Sequence, residues 1–197
     1  MPKESSPSER ILNAAETALR RYGAEKTNVV DIARALDMSH GNIYRHFRSK
    51  KELLDAVALR WLHTLNQPLE AIATDRARPA SERLGSWFDA LRKAKKRKLR
   101  DDPELFRMHY YIAENSPEMV TEHVGSLLAQ IERIIADGVT LKEFPSGLNA
   151  KAAARSFFLM TAPFHHPALL LQGPPPADAD AKLVLGMFVA GLRAGAA

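Results

Sequence analysis

Residues 27–53 read TNVVDIARALDMSHGNIYRHFRSKKEL. The spacing predicts a helix, a tight turn and a second helix. Val30, Ile32, Ala33 and Leu36 give the first helix an apolar face, with Thr27 expected as its N-cap. Asp37-Met38 interrupts the pattern. Ser39 is placed to cap a short helix running to Phe47, and Ser49 to cap a third, with Glu52 three residues on completing a capping box.

At about 100° per residue, Ile43 and Phe47 share one side of the short helix and form its buried face. Gly41, Asn42 and Arg45 then point away from the core, with Tyr44 and His46 on the flanks. A glycine on an exposed helix face costs about 1 kcal/mol relative to alanine, and one use for it is close approach of another backbone. The groups around it suit DNA. Asparagine can pair with adenine and arginine with guanine, while Arg48, Lys50 and Lys51 can hold phosphates. A solvated amphipathic helix between two others has the same spacing, so the spacing alone leaves both readings open.

The pattern S-x-G-x-I-Y-x-H-F followed by x-S-K-x-x-L, formed by Ser39, Gly41, Ile43, Tyr44, His46, Phe47, Ser49, Lys50 and Leu53, resembles the DNA-binding head of the tetracycline-repressor (TetR) family. Ile11, Leu12, Ala15, Ala18 and Tyr22, followed by Gly23 and Thr27, are similar to that family's opening helix. The resemblance covers about residues 8–60. It implies that Thr27, Tyr44, His46 and Lys50 contact phosphates and that Ser39, His40, Asn42 and Arg45 face bases. Beyond residue 60 it implies only an all-helical core, whose last two large helices would form a dimeric four-helix bundle.

The expected fold class is therefore all-α: a three-helix helix-turn-helix domain over residues 1–53, and a helical regulatory and dimerisation domain over 54–197. With 46% hydrophobic residues a sizeable core is available. The chain has no cysteine, which removes disulfides and thiolate chemistry and fits a reducing compartment. MPKESSPSER lacks the apolar stretch of a secretion signal, so a cytoplasmic location is expected, with residues 1–5 as a tail and Ser6-Pro7-Ser8-Glu9 opening the first helix.

The formal charge is +5, and its distribution matters more than its size. Residues 92–100 hold seven basic and no acidic side chains, whereas the remainder to residue 197 is acidic on balance. The run reads either as a solvated helix end, favourable at the C-terminal dipole, or as a second phosphate contact.

From Ser49 a helix is expected to about Thr74, with Pro68 as a kink or break. Asp102-Pro103-Glu104 and Ser116-Pro117-Glu118 each read as cap, N1 proline and first-turn acid. Asn149 is placed to cap a long apolar helix interrupted at 163–167. No 18-residue stretch of it is purely apolar, which argues against a membrane span. GPPP at 173–176 is a rigid connector before the last helix.

No P-loop, GxSxG or HExxH pattern is present, so an enzyme is not expected. His109, His123, His165 and His166, with Glu114, invite a metal reading. Core histidines bonded to carbonyls are the alternative, because neighbouring histidines on a helix diverge by about 100°. Trp61, Trp87, Phe106, Tyr110, Phe158, His165 and His166 are candidates for an effector pocket, against plain core packing. The expected partners are duplex DNA, an unidentified small-molecule effector and a second copy of the chain, with no cofactor and no membrane. An RNA binder, and an enzyme or metal protein with a vestigial head, are the rivals.

Overall fold

The computed structural model describes residues 6–195, so the tail expected over residues 1–5 lies outside them. Among the described residues the regular structure is helical: α1 (Pro7–Lys26), α2 (Val29–Ala35), α3 (His40–His46), α4 (Lys50–Thr74), α5 (Ala80–Asp101), α6 (Pro103–Glu114), α7 (Pro117–Thr140), α8 (Ala150–Met160), a 3-10 turn (Ala162–Phe164), α9 (Pro167–Gln172) and α10 (Asp178–Ala194). None of these helices is long and apolar enough to cross a membrane.

The chain packs as two compact units. The first comprises the described residues through His63 together with Asp102–Val120, and the second Thr64–Asp101 with the described residues from Thr121 onward. This is a division by packing, whereas the expected boundary between residues 53 and 54 is a division by role.

In the first unit, Ile11, Leu19, Ile32, Ile43 and Leu53 share one core with Leu105, Ile112 and Met119. Helix α6 therefore supports α1 from inside the same unit. The Ser6 hydroxyl accepts from Glu9 N at 3.2 Å and the Glu9 carboxylate from Ser6 N at 2.9 Å, the expected capping box. Gly23 sits at φ 79°, ψ 166°, where it breaks the helical path of α1. The left-handed region is open to glycine at no steric cost. Asp102 Oδ1 caps α6 by accepting from Leu105 N, and its Oδ2 accepts from Arg20 Nη2 at 2.6 Å, tying α6 to α1.

Two expectations in this unit are corrected. The cap of α2 is Asn28, whose side chain accepts from Val30 N at 3.1 Å, and not Thr27. The buried side of α2 is Val29, Ile32 and Ala33 with Leu36 half-buried, while Val30 is exposed. Positions 29, 32, 33 and 36 match a 3.6-residue period better than the set beginning at Val30.

The second unit is centred on Leu84, Trp87, Phe88, Ile131, Ile134, Phe157 and Phe188. Helix α4 runs as one helix through Pro68. Asn149 caps α8 as expected, accepting from Ala152 N at 3.0 Å. The proline-rich stretch after α8 becomes the 3-10 turn and the short α9, because proline removes a ladder donor and clashes with the preceding turn. The N-terminus of α5 is closed by a distant acid: Glu143 accepts from Ala80 N at 2.6 Å and from Ser81 N at 3.1 Å. Burial pushes the Glu143 carboxyl up, but the Ser81 hydroxyl and these amides outweigh it and hold it below the usual range.

Candidate nucleic-acid interface

Helix α3 is short, and both its ends are fixed. The Ser39 hydroxyl accepts from Asn42 N at 3.2 Å, and Phe47 N donates to Ile43 O at 3.0 Å. Ile43 and Phe47 are 1% and 8% exposed, which sets the rotation of the helix. Ser39, His40, Gly41, Tyr44, Arg45 and His46 are exposed and Asn42 is half-buried. The turn before α3 places Asp37 at φ 52°, a left-handed conformation that aspartate tolerates better than most residues.

Around this face, several side chains are held in place. The His40 and Tyr44 rings meet edge to face at 4.8 Å. His46 Nδ1 lies 3.3 Å from the Ser8 hydroxyl of α1. Lys50 Nζ donates to the Glu25 carbonyl at 3.0 Å, so the start of α4 is pinned to the end of α1. Ser49 accepts from Glu52 N at 3.0 Å. The Glu52 carboxylate takes Arg48 N at 2.7 Å, one residue before the donor that a strict capping box uses. Ser116 does not repeat the capping geometry of Asp102. Its hydroxyl donates to Asp55 at 2.6 Å and accepts from Lys51 Nζ at 2.8 Å.

Thr27 is placed differently from the other expected contact residues. It is 1% exposed, and its hydroxyl donates to the Gly23 carbonyl at 2.6 Å. Its hydroxyl holds the turn between α1 and α2. The remaining candidates are brought together on and around α3. They offer an amide, a guanidinium, a phenol, two imidazoles and an ammonium over a glycine with nothing within 4 Å of where its Cβ would be. Such a set can donate to phosphates and read base edges.

The expected effector residues are divided between the two units. In the first unit Trp61 stacks on His109 with ring centroids 4.7 Å apart and meets Phe106 at 6.1 Å, while the Tyr110 hydroxyl donates to Glu114 at 2.6 Å. In the second unit Trp87 is fully buried and its Nε1 donates to Gln130 at 2.8 Å, which makes it a core residue. Phe158 packs on His165 at 4.7 Å. His165 Nε2 lies 3.2 Å from the Thr161 hydroxyl, and His166 is exposed. Burial, then the charge of Lys95, push His165 down to about 3 and His123 down to about 4. Among the described residues no group of three or more His, Asp or Glu side chains is arranged to hold a metal ion.

Arg92 and Lys95 depart from both readings of the basic run, whereas Lys93, Lys96, Arg97 and Arg100 are exposed. Arg92 is 5% exposed and pairs with Asp89 at 2.6 Å and Asp178 at 2.7 Å. Lys95 is 4% exposed, and burial pushes its ammonium down to about 8. Two of the seven cations are thus interior groups. A third interior cation lies outside the run: Arg83, with no exposed surface, pairs with Asp137 at 2.9 Å. An arginine beside Leu84 and one turn before Trp87, in an apolar stripe, is the signal that pointed to it.

Comparison with known proteins gives the same class. Residues 11–57 match the family described as bacterial regulatory proteins, tetR family, and residues 80–184 match the tetracyclin repressor-like C-terminal domain. The chain belongs to the TetR family and is a transcriptional regulator. It is similar to SmeT, the repressor of the Stenotrophomonas maltophilia multidrug efflux pump SmeDEF, at 26% identity, covering 95% of this chain and 90% of that one with a TM-score of 0.71. It shares its fold with FadR from Bacillus subtilis, solved in complex with stearoyl-CoA, at 19% identity, 93% and 98% coverage and a TM-score of 0.68. It is 38% identical over 69 residues to the uncharacterized HTH-type transcriptional regulator YvdT of Bacillus subtilis. That match covers 34% of this chain and 36% of the relative, so the chain spans about a third of the length of that relative.

Proposed function

We propose that the chain is a ligand-responsive repressor that binds a near-palindromic operator as a homodimer and is released by a small-molecule inducer. The observation that carries the reading is the rotation of α3: Ile43 and Phe47 face inward, and Gly41, Tyr44, Arg45 and His46 are left to solvent. In this reading Tyr44, His46 and Lys50 hold phosphates, while Ser39, His40, Asn42 and Arg45 face bases. Two α3 helices in a dimer would sit about 34–36 Å apart, one turn of B-DNA.

The dimer reading is supported by exposed apolar side chains on two helices. Leu159 and Met160 of α8 are 63% and 46% exposed, and Leu183 and Met187 of α10 are each 64% exposed. Apolar surface of this kind marks association sites. The effector reading is supported by the relatives, one an efflux-pump repressor and one bound to stearoyl-CoA. Within this chain, the side chains of the second unit that suit an effector are Phe158, His165 and His166. The inducer acts by favouring a conformation that fits the operator poorly, and its effect is bounded by its differential affinity for the two states. The protein works in the cytoplasm, without a cofactor and without catalysis.

Selection of binding sites from random duplex DNA tests the reading. A near-palindrome with half-sites about one helical turn apart is expected. A preference of less than about tenfold for any duplex sequence would overturn it.

A further inference from the structure

The second unit carries a surface cavity of about 510 Å³ at the C-terminal half of α5. Its lining includes Lys93, Lys96, Arg97 and Arg100, with Leu99 and Pro175 as the apolar part. Asp178 is the one acid in the lining, so the lining carries a surplus of positive charge. We propose that this cavity binds a small phosphate-bearing molecule of the nucleoside diphosphate class.

The site is held from two sides. The buried Arg92 guanidinium binds Asp178 at 2.7 Å, which fixes the start of α10 to α5. Pro175 of the Gly-Pro-Pro-Pro connector at 173–176 lines the cavity beside Asp178, and proline restricts the connector's backbone. Acids outside the cavity position two of its cations. Asp89 accepts from Lys93 at 2.9 Å and Asp101 from Arg100 Nε at 2.7 Å. Asp178 lies 3.7 Å from Lys96 and is already engaged by Arg92. Arg97 has no ion pair within 4.0 Å among the described residues, so its guanidinium is available to an incoming anion.

The volume and the charge together select the ligand class. Cavities of about 300–1,000 Å³ suit small molecules. A convex DNA backbone is met by protruding cations and needs no concave site. A diphosphate engages several cations at once, and arginine binds phosphate through paired N–H groups. A bare anion would leave Leu99 and Pro175 uncovered. A flat ring can lie on them and on the face of an arginine. The inference stands apart from the operator reading, because it requires neither DNA nor a dimer.

Isothermal titration of the full chain with ADP, pyrophosphate and adenosine tests it. ADP is expected to bind one molecule per chain, pyrophosphate more weakly, and adenosine not measurably. The double variant Arg97→Gln, Arg100→Gln changes exposed residues, and circular dichroism checks that it remains folded. It should weaken ADP binding at least about tenfold, while Lys50→Ala leaves ADP binding unchanged. Absence of ADP binding, or ADP binding insensitive to the double variant, would overturn the proposal. So would a double variant whose only deficit is a lower, salt-dependent affinity for duplex DNA, which would instead make the run a DNA-backbone contact.

Discussion

The Arg83 guanidinium and the Asp137 carboxylate meet at 2.9 Å, with Arg83 fully buried and the Asp137 side chain 11% exposed. Arg83 also donates to the carbonyl of Ala73, and Arg76 pairs with the other Asp137 oxygen at 2.8 Å. The Asp137 carboxylate on α7 thus holds α5 and the turn between α4 and α5, and Arg83 ties in the end of α4.

Asp137→Asn should therefore cost about 3–5 kcal/mol in urea unfolding, since it leaves a buried guanidinium without its counter-charge. Burial pushes the Asp137 carboxyl up, but hydrogen bonds from Arg76 and Arg83 outweigh it and hold it below 3.8. Its contribution is complete above that value and is lost as pH falls through the folded-state value. The acid limb of the stability curve should be shallower in the variant. An unchanged acid limb would show that the pair does not couple to folding.

Lys95 titrates in the opposite part of the pH range. Its ammonium is pushed from 10.5 down to about 8 by burial. Between those values the unfolded chain binds more protons than the folded one, so stability should rise as pH increases from about 8 to 10.5. In Lys95→Met that rise should disappear from urea titrations at matched pH. A rise of the same size in the variant would assign it elsewhere.

At the candidate interface, Lys50→Ala should weaken binding to all duplexes about equally and lower the salt slope by about 1. The measurement is anisotropy of a labelled duplex across a salt series. Because Lys50 also holds the Glu25 carbonyl, thermal unfolding of the variant is recorded in parallel. A normal Tm with an unchanged slope would remove Lys50 from the phosphate contacts.

Asn42→Ala should relax preference at one base position at a cost of about 1–3 kcal/mol. Site selection with the variant reads this directly. A selected profile identical to that of the native protein would mean that Asn42 reads no base.

Much of the first unit was legible because its signals are local. Ile43 and Phe47 are four residues apart, and Ser6 with Glu9, and Ser39 with Asn42, are three apart. Such spacings map directly onto one helix face or one helix end. Val30 in place of Val29 misplaces one member of a four-residue pattern, and two adjacent valines give composition no way to decide. What stayed hidden depends on partners far along the chain. Arg92 looks like one more cation until Asp178, 86 residues on, is placed beside it. Arg83 finds Asp137 at a separation of 54. The packing of α6 in the same core as α1 is likewise a long-range fact that periodicity does not carry.

The most direct test of the central claim is Gly41→Leu. Gly41 has nothing within 4 Å of where its Cβ would be, so the free protein has room for a larger side chain. Leucine is also a good helix former. The account predicts an unchanged or raised Tm together with a loss of at least about tenfold in affinity for the selected duplex. A folded variant that binds that duplex as tightly as the native protein would contradict it.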